Sequence, residues 1–138
     1  MDAASIIDRH VEMVEGEPIR WGRDDCAMWA AAVLRDLHGV DLGRGWRRRY
    51  RSETGAARVL RETNLLRSVH AATRKAGWVR RAPEYARPGD LGIISAATGD
   101  LACVVCLRGG ADQWWAGRIN HGATYARITP RYVWGPNG

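Results

Sequence analysis

A cysteine at the start of a helix is one way for a fold to make a nucleophilic sulfur, and Trp21-Gly22-Arg23-Asp24-Asp25-Cys26 puts one there. The segment reads as a tight turn that delivers Cys26 into the first turn of a helix. Ala27 to Leu34 follows without a breaker and with strong helix propensity. Trp29, Val33 and Leu37 share one helical face with Cys26. Asp24 or Asp25 serves as N-cap, its carboxylate accepting from the free N–H groups of the first turn. Those N–H groups and the helix dipole favour a thiolate, so the sequence predicts a lowered thiol pKa at Cys26. The competing reading is a buried structural cysteine on an apolar face.

Two more cysteines, Cys103 and Cys106, form a C-x-x-C spacing inside Leu101 to Leu107, a segment that reads as a strand. Three residues apart on a strand means opposite faces, so these thiols are expected to point away from each other. No further ligands stand at zinc-site spacing, and no metal or cofactor is expected. Both cysteines read as small core residues, and free thiols fit a reducing compartment.

The elements that must hold these groups follow from periodicity and punctuation. Ala3 to Val14 is amphipathic, and Gly16-Glu17-Pro18 ends it. The Cys26 helix is expected to stop at His38-Gly39. Asp41 to Tyr50 reads as an exposed connection rich in Gly and Arg. Ser52-Glu53-Thr54 opens a helix to about Glu62, and Asn64 caps another to about Lys75, closed by Gly77. Pro83 to Gly89 reads as a loop. Arg87-Pro88-Gly89-Asp90 is a turn signal ahead of the apolar run Leu91 to Ile94. Further strands are expected at Leu101 to Leu107, Gln113 to Ile119, Thr124 to Ile128 and around Tyr132 to Trp134. Helices first and antiparallel strands second make an α+β fold, read as a single domain over residues 1–138.

Composition narrows the function classes. Apolar residues make up 46% and charged residues 26%, ordinary for a globular protein. No apolar run approaches the ~20 residues that cross a bilayer, so membrane insertion is not expected. Met1 to Ser5 shows no basic segment followed by an apolar stretch, so no signal peptide is expected. The net charge is +6, and every basic residue except Lys75 is arginine. The arginines are spread along the chain, with one short cluster at Arg47-Arg48-Arg49-Tyr50-Arg51. Neither a recognition-helix pattern nor an aromatic strand motif accompanies them, so nucleic acid is not the expected partner. Seven Trp and four Tyr stand against no Phe. Of the adjacent pair Trp114-Trp115, one must face inward and one outward. Aromatic residues mixed with arginine, as at Trp46 beside the Arg47 cluster, are common anchors of protein interfaces.

Trp-Gly-x-x-Asp-Cys at a helix start, followed much later by Arg-Pro-Gly-Asp-Leu opening a small sheet, resembles the NlpC-type branch of papain-like cysteine peptidases. The closer resemblance is to a short variant of that fold found among phage tail-tip genes, carried also by Arg49 to Ser52 and the ending Val133-Trp134. The resemblance implies N-terminal helices packed on a small C-terminal antiparallel sheet. It also implies Cys26 at the nucleophile position, with Trp21, Gly22 and Asp25 as its supporting turn. The family supplies its general base from a histidine at the start of the second strand of that sheet. The matching segment here is Asp100 to Val105, with Leu101 or a neighbour where the histidine belongs. A cysteine hydrolase needs a base to form the thiolate and then to protonate the leaving amine. Leu101 can do neither. His10 lies on the first helix, His38 about three turns beyond the thiol and His70 mid-helix. His121, in the turn Asn120-His121-Gly122, is the one candidate substitute base, with an ordinary exposed turn residue as the competing reading.

Two functions are therefore expected ahead of others. The first is a phage tail-tip or baseplate component with a hydrolase-like fold and impaired catalysis, contacting hub, distal tail or fibre proteins of the virion. Such a particle is assembled in the host cytoplasm. The second is an active cysteine hydrolase, peptidase or amidase, acting on host peptidoglycan.

Overall fold

The computed structural model describes residues 2–95 and 100–138. Four helices come first: α1 (Ala3–Met13), α2 (Cys26–His38), α3 (Glu53–Thr63) and α4 (Leu65–Lys75). Their ends follow local chemistry. Asp2 caps α1 by accepting from Ser5 N–H at 2.8 Å, Asp25 caps α2, and Asn64 caps α4 by accepting from Leu66 N–H at 2.9 Å. Gly39, at φ 72°, closes α2 in the left-handed conformation that a side chain disfavours.

Among the described residues six strands follow, β1 (Val79–Arg81), β2 (Leu91–Ser95), β3 (Leu101–Arg108), β4 (Trp114–Ile119), β5 (Gly122–Arg127) and β6 (Tyr132–Gly135), with one short 3-10 turn (Pro83–Tyr85) between β1 and β2. They form one antiparallel sheet in the order β1-β6-β2-β3-β4-β5. The expected α+β order is present, and five of these strands overlap the segments anticipated from sequence. The strand β1 was not anticipated. It is three residues long, two of them arginine, and it pairs only with β6 at the sheet edge. So short a segment has no alternation to read.

Asp90 explains how β1 and the Arg-Pro-Gly-Asp turn are joined. Its carboxylate, in a residue only 1% exposed, accepts from Arg87 N–H at 2.9 Å and from Arg81 Nε at 3.0 Å. Gly135 passes directly beside it, with no room for a side chain, because a Cβ there would lie 2.0 Å from Asp90 Oδ1.

The sheet faces two environments. On β3, Cys103 and Val105 face the helices within a core that also holds Ile7, Trp29, Val33, Leu34 and Trp134. Val104 and Cys106 face the other side, with Trp115, Val133 and Ala86. The two thiols of the C-x-x-C spacing therefore lie on opposite faces, as strand geometry requires. Trp115 is the buried member of the tryptophan pair, donating from Nε1 to Gln113 Oε1 at 2.9 Å, while Trp114 is half-buried.

Trp29 ties α1 to α2. It is 2% exposed and donates from Nε1 to the His10 carbonyl at 3.3 Å. His10 in turn meets Asp36 of α2 at 2.5 Å. Replacing Trp29 by Ala removes the largest buried side chain between these helices. The expected cost is about 4 kcal/mol, read as a lowered urea midpoint at unchanged slope.

Candidate functional site

Three residues ahead of Cys26 decide its setting. Gly22 has φ 81°, and a Cβ there would lie 2.1 Å from the Tyr50 carbonyl oxygen, so only glycine fits both demands. Its own carbonyl accepts from Arg48 N–H at 2.9 Å. Asp25 is the cap that the sequence left open between two aspartates. Its Oδ2 accepts from Gly22 N–H at 2.7 Å, and its Oδ1 accepts from Met28 N–H at 3.3 Å and from the Tyr50 hydroxyl at 3.1 Å. Asp24 instead faces the sheet and the preceding segment, accepting from Arg20 N–H at 2.7 Å and Arg20 Nε at 2.9 Å.

Arg118 of β4 fastens this turn to the sheet. Its side chain is completely buried. Nε donates to the Asp24 carbonyl at 3.0 Å, and Nη1 donates to the Ile119 and Gly122 carbonyls at 2.9 and 2.7 Å. Nη2 donates to the Pro18 carbonyl at 3.1 Å and lies 3.5 Å from Asp24 Oδ1. One guanidinium therefore gathers the residues before Cys26, the end of β4 and the start of β5. Sequence reading missed Arg118 and Tyr50. The signal for Arg118 was its period-two position after Trp114 and Ala116 on an inward-reading strand.

The sulfur lies between α2 and β3. Cys26 is half-buried as a residue, yet enough protein surrounds the thiol that burial raises its pKa above the ordinary value. Backbone N–H groups of Cys103 and Ala27 oppose the shift, and the Asp25 carboxylate adds to it. The thiolate expected from the helix dipole is thus not favoured. The capping carboxylate that builds the turn also places a negative charge beside the sulfur, and burial disfavours a second one. Cys103 occupies the β3 position beside Cys26. Its own thiol is pushed well up by burial and then by the neighbouring sulfur. The Tyr50 hydroxyl is likewise raised by burial and by Asp25.

None of the four histidines is among the groups contacting this sulfur. His10 is taken by Asp36. His38 bonds the Gly89 carbonyl at 2.8 Å and meets Trp78 edge-on. His70 is exposed on α4, and His121 is exposed in the β4–β5 turn, where its carbonyl accepts from Gly16 N–H at 3.0 Å. The Arg47 cluster is partly neutralised: Arg47 pairs with Asp41 at 2.5 Å, and Arg49 lies 5.0 Å over the Trp46 ring. Beyond the thiol, Ala27, Ala31, Tyr50, Val69 and Cys103 help line an apolar cavity of ≈ 50 Å³ between α2 and α4. Among the described residues, no group of His, Cys, Asp or Glu is arranged to hold a metal ion, and no helix is long and apolar enough to cross a membrane.

A family model described as a domain of unknown function (DUF6950) matches residues 2–134. No curated protein and no solved structure matches the chain.

Removing the Arg118 guanidinium takes a buried donor from the Pro18, Asp24, Ile119 and Gly122 carbonyls and leaves the Asp24 carboxylate with Arg20 as its remaining cationic partner. Arg118→Ala is expected to cost about 3 kcal/mol or more in urea denaturation. The raised thiols set an alkaline limit. A thiol whose folded pKa exceeds its unfolded value stabilises the fold below the unfolded pKa, and that contribution is lost as pH rises. Stability should therefore fall from pH ~8.5 upward, through about 12 for Cys106. Cys106→Ala should make the decline shallower in denaturation curves taken across that range.

Proposed function

We propose, from the premise that the chain belongs to the DUF6950 family, that it is a phage tail-tip or baseplate component. In this reading it has a papain-like, NlpC-type ancestry and serves as a structural or interaction module rather than as a peptidase. One observation supports this above the rest: the sulfur at the nucleophile position faces Cys103 and the Asp25 carboxylate, and burial keeps it protonated. A cysteine hydrolase needs a base that takes the thiol proton and returns it to the leaving amine. Tyr50, the hydroxyl nearest the cap, is itself held protonated by burial and by Asp25, so it cannot act as that base.

The partners proposed are the hub, distal tail or fibre proteins of the same virion, with assembly in the host cytoplasm. The motif order Trp-Gly-x-x-Asp-Cys then Arg-Pro-Gly-Asp-Leu supports this reading, as does the agreement of the helix-then-sheet order with that resemblance. The second reading, an active hydrolase of host peptidoglycan, draws on the placement of Cys26 at a capped helix N-terminus.

A phage carrying the Cys26→Ala allele separates the two. The structural role predicts plaque numbers equal to wild type, while phage lacking the gene yields no infectious particles. The purified protein should release no stem peptides from peptidoglycan. Cys26-dependent release, together with a plating defect of Cys26→Ala phage with intact tails, would establish the hydrolase instead. Iodoacetamide labelling at Cys26 should keep accelerating with pH beyond pH ~9 instead of levelling off near neutrality.

A further inference from the structure

A groove of ≈ 350 Å³ runs between α4 and the β1–β6 edge of the sheet, on the far side of α4 from the Cys26 turn. It is lined by Asn64, Leu66, Arg67, His70, Arg80, Tyr132 and Trp134. Its chemistry is one-sided. Arg80 and Trp134 are direct cross-strand partners and so share one face of the sheet. Arg80 lies 4.9 Å over the Tyr132 ring, which fixes its guanidinium at the groove wall. Arg67 and His70 enter from α4, three residues apart and on one side of the helix. Among the described residues no carboxylate lines the groove, and neither Arg67 nor Arg80 has an acidic partner. The N-terminal turn of α4 forms one end, where the helix dipole is positive.

A second observation at the same place points to a ligand. Trp134 is 2% exposed, and among the described residues its indole N–H is the one buried side-chain polar atom with no hydrogen-bond partner. An indole N–H only donates, and a buried donor left unpaired costs free energy. Its missing partner must be an acceptor. Asn64 adds strain at the same end, holding φ 59° while it caps α4.

We propose that this groove binds an oxyanion, the carboxylate or phosphate group of a small ligand, held by Arg67 and Arg80. The Trp134 indole N–H shifts towards one of its oxygens. The site is independent of Cys26, and its function does not depend on whether the thiol reacts.

The full chain, labelled with ¹⁵N, tests this through the indole N–H resonances, with Trp134 assigned by loss of its signal in Trp134→Phe. Sodium phosphate and sodium acetate are titrated separately at constant ionic strength, made up with chloride. The expected result is a saturating shift of the Trp134 indole signal. Whichever anion saturates at the lower concentration identifies the group. Arg80→Gln and Arg67→Gln, on different elements, should each weaken binding about tenfold, while Lys75→Gln, outside the groove, should leave it unchanged. A shift that is linear in concentration, equal with chloride alone, or unaltered in both arginine variants would overturn the proposal.

Discussion

The buried Arg118 guanidinium is the constraint from which the rest of the site follows. A charge this deep is tolerated only where every donor is met and an opposite charge stands nearby. Four backbone carbonyls and Asp24 satisfy both conditions. Because the carbonyls come from Pro18, Asp24, Ile119 and Gly122, satisfying one side chain fixes the approach to α2 against the β4–β5 hairpin. The helix that begins at Cys26 then has one angle of entry over β3.

That entry angle decides the chemistry around the sulfur. The turn is closed by Asp25, whose carboxylate is shared among Gly22, Met28 and Tyr50. The free N–H groups make the helix N-terminus a good place for an anion, and the Asp25 carboxylate is already the anion there. A thiolate at Cys26 would be a second negative charge in a site that burial already disfavours for ions. The local rule, that helix N-termini lower thiol pKa, is sound but incomplete, since it counts the dipole and omits the cap and the depth.

Much of the fold was legible because local signals were strong. Asn64 marks a helix start, Gly39 and Gly77 mark ends, and the Gly- and Asp-rich turns separate the strands. The opposite facing of Cys103 and Cys106 followed from strand geometry alone. The strand β1 was hidden because an edge strand of three residues is defined by its partner, not by its own pattern. Its contribution to the groove with α4 was hidden for the same reason, since Arg80 and Trp134 meet only through the β1–β6 pairing.

The sequence by itself determined that a cysteine would begin a capped helix, that helices would precede an antiparallel sheet, and that no histidine would lie at the start of β3. Each is a matter of residue identity and short-range backbone preference. Only the tertiary structure decided which aspartate caps the helix, that Cys103 and not an imidazole lies beside the sulfur, and that Arg67, Arg80 and Trp134 converge on one groove. Those outcomes depend on burial and on contacts between residues far apart in the chain, and neither is encoded in any local window.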